Sequence, residues 1–319
     1  MSDPICCVCQ EPAGPSAKEL GGRWYCAAHY ERATKDRRGL WQAGVAQIVG
    51  LLALVGLVEL LVALVHPQLE GVWLMVASVV MALVPALVWL SFFYQQDRLE
   101  PEPKGYVLGV FLLGGLLAMA VALPLTRDVF HTASWLGMSP LVNIAGSILV
   151  VGAIHEFLKY AAVRYFVYPM AEFDERIDGI VYGTAAGLGF ATALNIEYVL
   201  RSGGVDLQAG IISVVVVALA QASFAGVTGY FLGRAKFEHR PIWWMPAGLA
   251  LASALNGLFT YLRGEVTRGG ISLTAGGGHN PWPGLILATV VAVAVFATLS
   301  ILMRRANQKA LAQTAGGAQ

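Results

Sequence analysis

The sequence predicts an all-α polytopic membrane protein, about eight transmembrane helices preceded by a small zinc-binding finger. Three observations predict it. Of 319 residues, 57% are hydrophobic and only 13% charged, with a mean hydropathy of +0.64; soluble domains carry about 25% charged residues. The apolar residues fall into blocks about 20 long, the length that crosses a bilayer as a helix. All four cysteines lie within the first 26 residues, ahead of the first apolar block. The formal net charge of +1 gives no reason to expect nucleic acid as a partner.

The finger comes first, over residues 1–32. It reads "CCVCQEPAGPSAKELGGRWYCAAH", with Cys6-x2-Cys9 and Cys26-x2-His29 as two short pairs. Each pair forms one knuckle, and two knuckles make the tetrahedron zinc prefers. So short a segment cannot build a core of its own, so metal must supply folding free energy. Two disulfides are the alternative, but they need an oxidising compartment and leave His29 without a role. Cys7 is the spare thiol. The "GGRWYCAAHYE" end resembles LIM-type or treble-clef fingers, a resemblance that implies binding of protein or, less often, nucleic acid; a cytoplasmic protein partner is the expectation.

A charged linker, 33–42, leads into the membrane domain, 43–305. Spans are expected at 43–65, 72–94, 106–125, 141–168, 177–199, 210–233, 242–261 and 283–303. A Gly-rich loop over 262–282 separates the last two. The tail, 306–319, reads as low-complexity and disordered. An even number of spans puts both ends on one side. Of the 21 Lys and Arg, sixteen fall on that side, four in the alternate loops, and Lys159 lies inside a span. The positive-inside rule then places both termini in the cytoplasm of a multi-pass cell-membrane protein. Reduced thiols in the finger suit that compartment.

Polar groups inside the spans need a reason, because each charge at span centre costs on the order of 3 kcal/mol. "VGAIHEFLKY", residues 151–160, carries three of them. Glu156 and Lys159 are i and i+3 and can neutralise each other, whereas His155 points about 100° away. "HEFLK" is not a zincin helix, which needs a second His at i+4. Glu59 stands in the first span with no evident partner. By helix rise, Glu156 lies ~18 Å and Asn256 ~21 Å from one membrane face, Gln221 ~17 Å from the other, and Glu197 ~30 Å deep. Glu156, Gln221 and Asn256 thus share a mid-membrane level, as a site or as interhelical hydrogen-bond glue. Gly179, Gly183 and Gly187, with Ala225, Gly229 and Gly233, form small-residue ridges that let the fifth and sixth spans approach closely.

Several blocks in order, "DRLEPEPKGYVLGVFLLGG", "HEFLKY", "EFDERIDGIVYGTAAGLGFATALNIEYV", "QASFAGVTGYFLGRAKF" and "NGLFTYL", resemble the PrsW family of intramembrane proteases over about residues 85–262. The resemblance implies a metal-type site in the membrane that cuts a membrane-anchored protein such as an anti-sigma factor. The family carries two adjacent glutamates where this chain has His155 and Glu156, and keeps the lysine at Lys159. It carries Glu-Asn where Leu194 and Asn195 stand, and histidines where Gln221 and Asn256 stand. The site residues it implies are Glu156, His155, Gln221 and Asn256, with Glu197 as a substitute carboxylate, and a second metal would sit among them. Zinc hydrolysis wants about three His or carboxylate ligands, and amides are poor ones. Two readings follow: an active protease with an altered site, or a pseudoprotease that binds transmembrane helices and recruits partners through its finger. A transporter is the third, disfavoured by the lack of an inverted repeat.

Overall fold

The computed structural model describes residues 4–34, 39–96, 104–268 and 280–316. The linker residues 35–38, the stretch 97–103 and most of the Gly-rich loop, 269–279, lie outside the described residues. The finger opens with an antiparallel hairpin, β1 Lys18–Leu20 and β2 Arg23–Tyr25. Gly21 and Gly22 turn it, both with positive φ that a side chain would resist. Helix α1, Ala27–Thr34, follows directly on Cys26.

Among the described residues, eight helices are long and apolar enough to cross a membrane. In order they are α2 Gly39–Val65, α3 Gly71–Gln96, a third built on α4 Lys104–Leu117, a fourth ending in α7 Ala153–Phe166, then α8 Asp178–Arg201, α9 Leu207–Phe237, α10 Trp244–Arg268 and α11 Trp282–Gly316. A short helix, α5 Thr132–Trp135, bridges the third and fourth spans, and α6 Pro140–Gly146 starts the fourth. The fourth span then passes through a π-helical stretch, Ser147–Gly152, into α7 Ala153–Phe166. The third span likewise ends in π turns, Ala118–Ala122 and Leu125–Val129. Such turns shift helix register and often mark functional sites. One difference concerns the tail: α11 runs unbroken to Gly316, where the sequence suggested disorder from 306. Ala, Leu, Gln and Lys there are strong helix formers.

Helices α8 and α9 are the most buried of the eight and form the centre of the bundle. The glycine ridge explains their intimacy. A Cβ at Gly187 would come within 2.4 Å of the Gln221 carbonyl oxygen, so only glycine admits this crossing. The approach of α10 to the fourth span has the same cause, since a Cβ at Gly257 would lie 2.4 Å from the Ile148 nitrogen. The finger is not detached. Cys6, Val8, Leu20 and Tyr25 share one apolar cluster with Val163, Phe173 and Phe237 of the bundle. Arg32 donates to Asp174 at 2.7 Å, and the Tyr25 and Phe237 rings stack at 6.4 Å. The end of α11 reaches the same side, where Arg176 donates to the Asn307 side chain at 3.3 Å.

Candidate active site within the membrane domain

Three helices bring one polar cluster together. α7 carries Glu156 and Lys159 on one face, α9 supplies Gln221, and α10 supplies Asn256. The Lys159 ammonium donates to Glu156 Oε1 at 2.5 Å and to Gln221 Oε1 at 2.8 Å. Asn256 Nδ2 donates to the same Glu156 oxygen at 2.7 Å. All four side chains are buried, Glu156 and Lys159 almost completely. Glu156 Oε2 is buried without a hydrogen-bond partner. Thr228, two turns beyond Gln221 on α9, lies alongside the carboxylate. Sequence reasoning missed Thr228 and the Lys159–Gln221 bond; the seven-residue spacing of Gln221 and Thr228, which puts both on one helix face, was the available signal.

The other expected residues sit apart from this network. His155 is buried, its ring 4.8 Å from that of Phe190, and its Nδ1 has no hydrogen-bond partner. Glu197 is not brought to the cluster: its Oε1 is taken by Arg127 and, at 3.4 Å, by Arg201. Asn195 caps a backbone carbonyl, donating to Val214 O at 3.1 Å. Glu59 does have a partner, contrary to expectation, because Gln208 at the start of α9 donates to it at 2.9 Å.

In the finger, Cys6, Cys9, Cys26 and His29 converge, with all ligand atoms within 4.8 Å of one another. Cys26 Sγ lies 3.1 Å from His29 Nδ1. Burial works against the Cys6 thiolate, but backbone N–H groups of Cys26, Cys9 and Val8 outweigh it and bring the thiol below its ordinary value. Burial pushes the adjacent Cys7 thiol up to about 11, which suits a thiol outside the ligand set. Burial also lowers His29, keeping its ring neutral and its nitrogen free to bind. These donors fit a metal ion.

The membrane cluster can be tested the same way. Among the described residues, no second group of three His, Cys, Asp or Glu stands close enough to share an ion. Around Glu156 the neighbours are two amides, the Thr228 hydroxyl and an ammonium, and a divalent cation there would face the Lys159 charge directly. The donor set does not fit a metal.

Residues 102–299, about three-fifths of the chain, match the PrsW family intramembrane metalloprotease. The chain belongs to the PrsW family. Protease PrsW of Geobacillus kaustophilus is 34% identical over 179 residues, 56% of this chain and 76% of that one. Protease PrsW of Bacillus subtilis is 30% identical over 190 residues, 59% of this chain and 83% of the relative. Protease PrsW of Clostridioides difficile is 30% identical over 159 residues, half of this chain and 66% of the relative. No solved structure matches. The PrsW match starts just ahead of the third span and runs on through most of α11, so it reaches further toward the C-terminus than the motifs suggest, and it excludes the finger and the first two spans. The polar cluster lies wholly inside it, on three of the PrsW helices. The metal-unfriendly donor set therefore lies within the part of this chain that the PrsW family model covers.

Proposed function

We propose that this chain is a PrsW-type intramembrane protease that acts on a membrane-anchored protein of the anti-sigma-factor type. The observation that carries the reading is the convergence of Glu156 with the amides of Gln221 and Asn256 from three helices. Glu156 is the base: its unpartnered Oε2 takes a proton from water as the water oxygen adds to the scissile carbonyl carbon. The carbon–nitrogen bond then breaks, and the leaving amine takes that proton. Gln221 accepts from Lys159 through its carbonyl, which leaves its NH2 to donate to the carbonyl oxygen as charge builds there. Lys159 pairs with Glu156 and fixes where its carboxylate points. His155 and Glu197 have no direct part. No metal enters this scheme.

A second reading, the pseudoprotease, is favoured by a specific observation. Lys159 closes on Glu156 and Gln221 together, so the base and one amide are engaged with each other inside a buried cluster. In that state the chain would hold a transmembrane segment without cutting it.

The finger holds zinc through Cys6, Cys9, Cys26 and His29, and its place is the cytoplasmic side of the cell membrane, as the basic residues argue. Recruitment of a cytoplasmic protein is its further role. Co-expression with an epitope-tagged membrane-anchored anti-sigma factor tests the main reading. A cleaved fragment that disappears with Glu156→Ala supports it, and undiminished cleavage by that variant removes Glu156 from the mechanism. Intact substrate that co-purifies with the wild-type chain, without any fragment, establishes the pseudoprotease instead.

A further inference from the structure

Between the finger and the ends of α7 and α9 lies a cavity of about 550 Å³. The finger contributes Cys7, Arg23 and Trp24 to its wall, and the bundle contributes Arg164, Lys236 and His239. No Asp or Glu lines it. Two acidic groups of the region are already engaged: Asp174 pairs with Arg32, and Glu238 with Arg176, Arg234 and Arg240. Lys236 directs its ammonium to the carbonyls of Tyr168 and Met170.

Two guanidiniums remain uncommitted. Neither Arg23 nor Arg164 forms an ion pair among the described residues. Arg23 Nε is buried without an acceptor, and a buried donor left unsatisfied is destabilising. Arg164 lies with its guanidinium 4.4 Å from the Tyr168 ring centre, which orients a planar group by its face and leaves the N–H edge to bind something else.

We propose that this cavity binds a phosphate-bearing anion between Arg23 and Arg164. Guanidinium forks match phosphate oxygens in pairs, and a cavity whose wall charges are all positive attracts dianions and monoesters alike. Arg164 sits two residues before the end of α7 at Phe166, the level at which headgroups meet hydrocarbon. The phosphate can therefore belong to an anionic lipid headgroup or to a soluble phosphate compound. Either would bridge the finger to α7, the helix that carries Glu156 eight residues earlier.

The test uses the full chain and reads binding, so it does not depend on proteolysis. The purified protein is placed in nanodiscs of phosphatidylcholine, with or without phosphatidylglycerol, and the zwitterionic discs are titrated with inorganic phosphate. The readout is the fluorescence difference between the wild type and Trp24→Phe, which isolates the indole on the cavity wall. A saturable change with phosphatidylglycerol alone identifies a lipid, and one with inorganic phosphate in zwitterionic discs identifies a soluble ligand. In either case Arg164→Ala weakens apparent affinity on the order of tenfold, and Arg164→Lys by less. Arg23→Ala acts in the same direction, with metal content checked to show that the finger is intact. No saturable change in either arm overturns the proposal, and so does an affinity unmoved by Arg164→Ala, which lies outside the finger and leaves its folding alone.

Discussion

Lys159→Met removes one half of a buried ion pair. Lys159 is 1% and Glu156 0% exposed, so solvent screening does not weaken the interaction. The variant leaves a buried carboxylate with Asn256 as its remaining donor, and Gln221 Oε1 with none. Removing one partner of such a pair destabilises by about 3–5 kcal/mol. The orphaned Gln221 carbonyl overlaps with this loss rather than adding to it, because both act through one ammonium. Glu156→Gln alone should be destabilising for the converse reason, as it leaves an ammonium between two amides. The double variant Glu156→Gln with Lys159→Met carries no charge in this cluster and should return to within about 2 kcal/mol of the wild type. Unfolding of the four proteins in mixed micelles, titrated with sodium dodecyl sulfate and followed by circular dichroism, gives the coupling energy directly. Single variants within about 0.5 kcal/mol of the wild type, or a double variant whose loss is the sum of the singles, would refute the argument.

Three further outcomes are expected. Elemental analysis of the purified chain should find one zinc per protein, abolished by Cys26→Ser and untouched by Glu156→Gln; a second equivalent that depends on Glu156 would contradict the reading of the membrane donor set. Gly187→Val should lower yield and thermal stability sharply, since its Cβ meets the Gln221 carbonyl at 2.4 Å and overpacking of this kind costs about 1–3 kcal/mol or more; wild-type stability would show that the α8–α9 crossing is looser than described. Glu197→Gln should leave substrate binding and any cleavage unchanged and shift stability by less than about 1 kcal/mol, because its partners Arg127 and Arg201 are substantially exposed.

The spans were legible because hydrocarbon selects apolar runs about 20 residues long. Their ends were not, because a helix continues past the hydrocarbon wherever its backbone bonds can. The sixth span was expected over 210–233, yet α9 covers Leu207–Phe237, with an Asp206 cap at one end and basic residues at the other. Depth was legible in the same way, since a fixed rise per residue put Glu156, Gln221 and Asn256 on one level. What each group touches was not, because contact depends on how helices rotate and which neighbour they face. The bond from Lys159 to Gln221 exists because α7 packs against α9, and the bond from Gln208 to Glu59 because α2 does. Neither adjacency is written in local spacing. The glycine ridges came nearest to revealing one, as they named the α8–α9 face without saying which polar groups it would gather.

The finger and the polar cluster are mechanically joined, and the join can be measured. Leu20 and Tyr25 are buried in a cluster that includes Val163 of α7 and Phe237 of α9, the helices that hold Glu156 and Gln221. A finger of this size depends on its metal to fold. Removing the metal should therefore expose those bundle residues as well as unfold the finger. Full burial of one such large apolar side chain is worth about 1.5–3 kcal/mol, while the Arg32–Asp174 pair adds little because Arg32 is 57% exposed. A loss of about 2 kcal/mol at the bundle surface corresponds to a fall in Tm of several degrees in a domain of this size. Thermal melting of the full chain, followed through the bundle helices with and without a zinc chelator, should show that fall, and Cys26→Ser should reproduce it without chelator. A bundle transition that neither treatment moves would show that the finger rests on α7 and α9 without bearing on them.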